Sequence, residues 1–117
     1  MSKILILEDS EERVTAFKKN FIGAEIVFTD KPNIAIEELK KGGFDALFLD
    51  HDLGGTTYAA SDENSGYAVA KWLEENKEYQ PEVIILHSLN PTGVQNMKNA
   101  LPQARIVPFA WNIPITF

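Results

Sequence analysis

Three short clusters hold the side chains best suited to chemistry: Glu8-Asp9, Asp50-His51-Asp52 and His87-Ser88. Four carboxylates brought together repel one another, and some must hold protons unless a cation sits among them. An oxygen-rich set of this kind suits Mg²⁺, which keeps several waters, with Mn²⁺ or Ca²⁺ as alternatives. The metal candidates are therefore Glu8, Asp9, Asp50 and Asp52. Residues 50 and 52 are two apart, so on an extended chain their side chains point the same way. The chain's two histidines, His51 and His87, both adjoin the acids. An imidazole gives or takes a proton near neutral pH, as phosphodiester chemistry requires. Ser88 and Asn90 can donate to phosphate oxygens, and a helix opened by Pro91 adds partial positive charge. This makes Asp50, His87 and Ser88 the catalytic candidates and Ser88, Asn90 and His51 the phosphate-binding ones. Plainer roles compete: Asp9 and Ser10 as helix caps, Asn90 as the cap of the next helix, and each histidine as a hydrogen-bonded core side chain.

The elements that position these clusters can be read from hydrophobic patterning. Lys3–Leu7 is an apolar run of the kind buried on both faces of a sheet. Ser10 then caps a helix with Glu11 and Glu12 at its positive end and Val14, Phe17 and Phe21 at helical spacing. Gly23 closes that helix, and a strand follows over 24–28. Lys31–Lys41 reads as a helix carrying Ile34, Ile36 and Leu39, stopped by Gly42-Gly43. Phe44–Leu49 is a third strand, followed by a polar, glycine-bearing loop from Leu53 to Ser65, long enough to suggest function. Gly66–Asn76 is a helix with Val69, Trp72 and Leu73 on its core face. Val83–Leu86 is a fourth strand, Pro91–Ala100 a short helix with proline in its first turn, and Arg105–Val107 a fifth strand. Within the helix at 91–100, Gly93 implies the close approach of another group, with substrate one option, and Met97 belongs to the core. The tail Phe109–Phe117 has no helical pattern, and Trp111 and Asn112 there can either wall the site or cover a sheet edge. Strands alternating with helices imply a parallel, doubly wound α/β sheet with right-handed crossovers. Ligands of such sheets bind beyond the carboxyl ends of the strands, where all three clusters fall.

Composition bounds the setting. A chain of 117 residues suits one domain over 1–117, and 44% hydrophobic residues can supply its core. With no cysteine there is no disulfide, thiolate metal site or cysteine nucleophile, which fits a reducing, cytoplasmic location. A formal charge of −6 argues against an extended nucleic-acid surface, and Lys18-Lys19 and Lys40-Lys41 are too sparse to make one. No apolar run approaches membrane-span length, and the acidic N-terminus does not read as a signal peptide. Gly54 and Gly55 lack the surroundings of a phosphate-binding loop. Oligomeric state is left open.

An acidic pair after the first strand, an aspartate after the third and a hydroxyl after the fourth resemble the response-regulator receiver domain, over about residues 2–110. Three longer stretches narrow this. Asp50-His51-Asp52-Leu53-Gly54, the run Gly66-Tyr67 with Val69, Ala70, Trp72 and Leu73, and the run His87-Ser88 with Asn90, Pro91, Gly93, Asn96 and Met97 together resemble the cyclic-phosphate processing receiver domains. The resemblance implies a flavodoxin-like five-stranded fold and a substrate with a cyclic or terminal phosphate, either a small molecule or a nucleic-acid end. On that reading the expected activity is Mg²⁺-dependent and phosphoesterase-like, with enzyme status itself left open. Receivers use a backbone carbonyl at the position of Asp52. Where they carry a fifth-strand lysine before Pro-Phe, this chain has Val107 before Pro108-Phe109. The last receiver helix is expected to be missing. Two alternatives remain: a signalling receiver phosphorylated on Asp50, and a degenerate receiver that binds protein partners.

Overall fold

The computed structural model describes residues 2–53 and 62–113. Most of the expected loop at 53–65, with Gly54 and Gly55, and the end of the tail lie outside the described residues. Five strands, β1 (Lys3–Leu7), β2 (Glu25–Thr29), β3 (Ala46–Leu49), β4 (Val83–Leu86) and β5 (Arg105–Ile106), alternate with four helices, α1 (Glu11–Asn20), α2 (Pro32–Lys41), α3 (Tyr67–Glu75) and α4 (Pro91–Ala100). The sheet is parallel throughout, in the order β2-β1-β3-β4-β5. β1, β4 and α4 have the limits read from the sequence, and the other elements differ by one or two residues at their ends. Among the described residues no α-helix follows β5. A 3₁₀ turn at Ala110–Asn112 instead packs against α1, tied there by Asn20, whose Nδ2 donates to the Ile113 carbonyl at 2.7 Å. No described helix is long and apolar enough to cross a membrane.

Alternation along the strands divides the core between the two faces of the sheet. Leu5 and Leu7 of β1, Leu47 and Leu49 of β3, and Ile84 and Leu86 of β4 pack with Ala35, Leu39, Val69, Leu73 and Met97 of α2, α3 and α4. Ile4 and Ile6, Ala46 and Phe48, and Ile85 point the other way, to Phe17 of α1 and Ala110. Trp72 is only partly buried, lying against the first cluster and beside Tyr79. On α2 the core face runs through Ala35 and Leu39, while Ile34 is 42% exposed. The stripe therefore starts one residue later than the apolar spacing implied.

Register then fixes what stands at the sheet's carboxyl edge. Leu7 lies opposite Leu49, and Leu49 opposite Leu86. The Asp50 amide donates to the Leu7 carbonyl, His87 to Leu49 and Val107 to Leu86. Glu8, Asp50, His87 and Val107 thus form one row across the sheet. Glu8, Asp50 and His87 are each one residue past a strand position that faces the α2–α4 layer, so alternation turns them toward α1.

Candidate functional site

The row brings Glu8, Asp50 and His87 together. All three are buried, and one potential ligand atom from each lies within 4.8 Å of the others. Glu8 Oε2 accepts from the backbone amides of Asp9 and Ser10 at 3.0 and 3.1 Å. Its Oε1 lies 3.0 Å from His87 Nε2. One Asp50 oxygen accepts from the His51 amide at 2.8 Å. The other faces Arg13, whose guanidinium is 3.6 Å from both Asp50 Oδ2 and Glu8 Oε1. Arg13 in turn lies over the Trp111 ring, 4.3 Å from its centroid. Phe17, Phe48 and Trp111 surround the His87 ring at centroid distances of 5.3, 6.4 and 6.1 Å.

Burial favours the neutral forms of all three groups, and their neighbours decide which yields. For Glu8, burial pushes upward, but the His87 hydrogen bond and charge, the Ser10 amide and Arg13 outweigh it and hold the carboxyl at about 2. Asp50 is pushed up to about 8 by burial and then by the charge of Glu8, against the pull of the His51 amide and Arg13. Burial lowers His87 more than its bond to Glu8 raises it. Near neutral pH these directions meet in one arrangement: an ionised Glu8 accepts Nε2–H from a neutral His87, whose charge acts on Glu8 only at lower pH. Nδ1, which has no hydrogen-bond partner among the described residues, is then a lone pair rather than a stranded N–H.

The other sequence candidates lie beside this row. Asp9 is half-buried next to Glu8 and falls outside the three-residue group. Asp52 does not follow Asp50 to the α1 face, because a bend at His51 breaks the extended chain. Its Oδ1 instead meets His51 Nδ1 at 2.8 Å and accepts from Asn90 Nδ2 at 2.9 Å. His51, fully buried, sits on the α4 side, as its odd position in the alternation requires. Asn90 Oδ1 accepts from the Gly93 amide at 3.0 Å and caps α4. Ser88 Oγ, also buried, accepts from the Asn90 amide at 3.1 Å. What approaches Gly93 is the chain's own His51: a Cβ there would lie 2.4 Å from the ring. Gly93→Ala is expected to cost about 1–2 kcal/mol, since the ring can tilt but not leave. Chemical denaturation checks this, and adding His51→Ala should recover most of the loss.

One residue of the site, Arg13, has no role in the sequence reading. Of the two roles open to Trp111, the structure favours a wall of the site, against Arg13 and His87. The remaining signal was the position of Arg13 in the first turn of α1, directly after the acidic pair.

Similarity to known proteins agrees with this architecture. The manganese-bound form of response regulator Rcp1 superposes with a TM-score of 0.67 at 16% identity, over 100% of this chain and 99% of that one. A CheY-like receiver domain from Methylobacillus flagellatus gives 0.65 at 20% identity, over 97% and 94%. Chemotaxis protein CheY4 from Vibrio cholerae gives 0.64 at 19% identity, over 91% and 83%. At such identities these likenesses establish the fold alone. No curated protein sequence matches the chain. The cyclic-phosphate processing receiver domain, in contrast, matches residues 3–103 directly. By that match, spanning every described strand but β5, the chain belongs to the cyclic-phosphate processing receiver domain family.

Proposed function

We propose that the row at the sheet edge is a divalent-cation-dependent phosphoryl site that processes a cyclic or terminal phosphate. The observation that carries this reading is the pairing of two buried carboxylates, Glu8 and Asp50, just past the ends of the neighbouring strands β1 and β3. Burial and then the charge of Glu8 raise the Asp50 pKa to about 8, and a hard cation relieves that repulsion through oxygen ligands. The donor set fits Mg²⁺ or Mn²⁺, and the manganese carried by Rcp1 lends coarse support from a protein of the same fold. Glu8 and Asp50 would hold the cation, with Asp9 beside them. His87 donates to Glu8 and so fixes the carboxylate's orientation, as supporting groups around ligands do. When bound, the cation neutralises phosphate charge and can activate water. Ser88, next to His87, would orient the phosphate, whereas Asn90 is engaged in capping α4 and in its bond to Asp52. The family's description as cyclic-phosphate processing supports a cyclic phosphate as the substrate class, carried by a small phosphate ester or a nucleic-acid end. A reducing, cytoplasmic setting fits the absence of cysteine.

A screen of cyclic and terminal phosphates with Mg²⁺, with Asp50→Asn as control, tests the proposal. The wild type is expected to turn over a 2′,3′-cyclic or terminal phosphate. Asp50→Asn should lose that turnover and bind Mg²⁺ at least tenfold more weakly in titration calorimetry. Unchanged Mg²⁺ affinity in the variant would sink the metal site. Stoichiometric, hydroxylamine-sensitive phosphate on Asp50 without turnover would instead establish a signalling receiver.

A further inference from the structure

The row across the sheet ends at β5 with Val107, which packs into the α1-side core. The lysine implied there by the receiver resemblance is therefore missing, and Arg105, the basic residue of β5, pairs with Ile85 two rows short of the edge and is exposed. The positive charge beside the acids comes instead from α1. Ser10 Oγ accepts the Arg13 amide at 3.4 Å, which sets the first turn of the helix so that Arg13 turns back over the acids. Its guanidinium stands 3.6 Å from each carboxylate, beyond hydrogen-bond length, and its side chain remains 28% exposed. It therefore touches both the acids and solvent without being locked to either acid. Trp111 supplies a shelf beneath it, and the Trp111 turn is itself anchored to α1 through Asn20.

We propose that Arg13, shelved on Trp111, is the phosphate-engaging cation of this site, supplied from α1 in place of a β5 lysine. The inference rests on the cation-dependent phosphoryl reading above. Without a cation, the guanidinium is compensated by the acids beside it and offers phosphate no net positive charge. Once a divalent cation balances Glu8 and Asp50, the charge of Arg13 is uncompensated and available to an anion. A guanidinium offers two parallel N–H groups to two oxygens of one phosphate, a geometry that an ammonium lacks. Stacking on the indole favours the charged, flat group and limits the rotamers it must give up on binding.

The test is inorganic phosphate binding in saturating Mg²⁺, with Mg²⁺ binding measured separately, for wild type, Arg13→Lys, Arg13→Gln and Trp111→Leu. Thermal melts check that each variant is folded. Arg13→Gln is expected to weaken phosphate at least tenfold while Mg²⁺ binds as before or more tightly. Arg13→Lys should restore part of the loss, and Trp111→Leu should fall between wild type and Arg13→Gln. Equal phosphate affinity in Arg13→Gln, with Mg²⁺ bound, overturns the inference and leaves Arg13 a counter-ion. Parallel loss of Mg²⁺ and phosphate overturns it too, in favour of a structural role. A wild type that binds no Mg²⁺ overturns the cation reading and this inference with it.

Discussion

Gly66→Ala is expected to destabilise the protein by roughly 3 kcal/mol or more, or to prevent cooperative folding. The backbone at Gly66 is ordinary, with φ −61° and ψ −21°, so conformation is not the obstacle. Space is. A Cβ there would lie 1.7 Å from the Asp50 carbonyl oxygen, 2.8 Å from its carbon and 3.2 Å from His51 Cα. All three are backbone atoms, so no rotamer change relieves the clash. The Gly66 amide donates to the His51 carbonyl at 2.9 Å, pinning the start of α3 to the end of β3. Separating the segments breaks that bond and shifts Asp50 itself. Gly23→Ala is the informative contrast. Its φ is +93° with nothing near the missing Cβ, so it should cost only about 1 kcal/mol of conformational energy. Denaturation midpoints compare the two. A Gly66→Ala protein as stable as Gly23→Ala would refute the packing described here.

In chelator, stability is expected to fall by about 2 kcal/mol between pH 6.5 and 8, and to level off above that range. The sign follows from Asp50. Its carboxyl rises from 3.8 in the open chain to about 8 in the fold, so between those values the unfolded state has released a proton that the folded state still holds. Raising the pH therefore favours unfolding. His87, lowered from 6.5 by burial, acts in the opposite direction below pH 6.5, where the unfolded histidine takes up a proton. The two effects oppose each other there, and the Asp50 slope stands alone above it. Glu8, held at about 2 against 4.5, adds stability above pH 4.5 that is lost toward pH 2. A loss of this size lowers the melting temperature by roughly 6–10 °C. Mg²⁺ should flatten the slope by binding the ionised carboxylate, and Asp50→Asn should remove it even in chelator. A slope that persists in Asp50→Asn assigns the titration to another group.

How far the site was legible depended on how it is built. Glu8, Asp50 and His87 each stand one residue past a strand end, and strand ends are where apolar runs stop. The alternation that buries Leu5 and Leu7 away from Ile4 and Ile6 also predicts which way each turns. Asp52 escaped that logic because a bend, not a strand, follows Asp50. Arg13 was illegible for a different reason: a basic residue in a helical first turn looks solvated until the sheet is set beside it. Gly93 signalled close approach, but only the structure identifies the His51 ring as the neighbour. Gly66 was read as part of a helix, because nothing in its own segment reveals a carbonyl from β3 1.7 Å from where a Cβ would stand.

The ring of Phe17, Phe48 and Trp111 around His87 also sets the local dielectric response. Rings carry no reorienting dipoles to compare with water, so the field of the Glu8–His87 pair is weakly screened on that side. The orientation of these groups is settled when the chain folds, not when a ligand arrives. An anion reaching the mouth meets dipoles already in place, and little further polarisation work remains. The aromatic cluster that closes the core of the sheet's α1 face is in this sense also the insulator of the site.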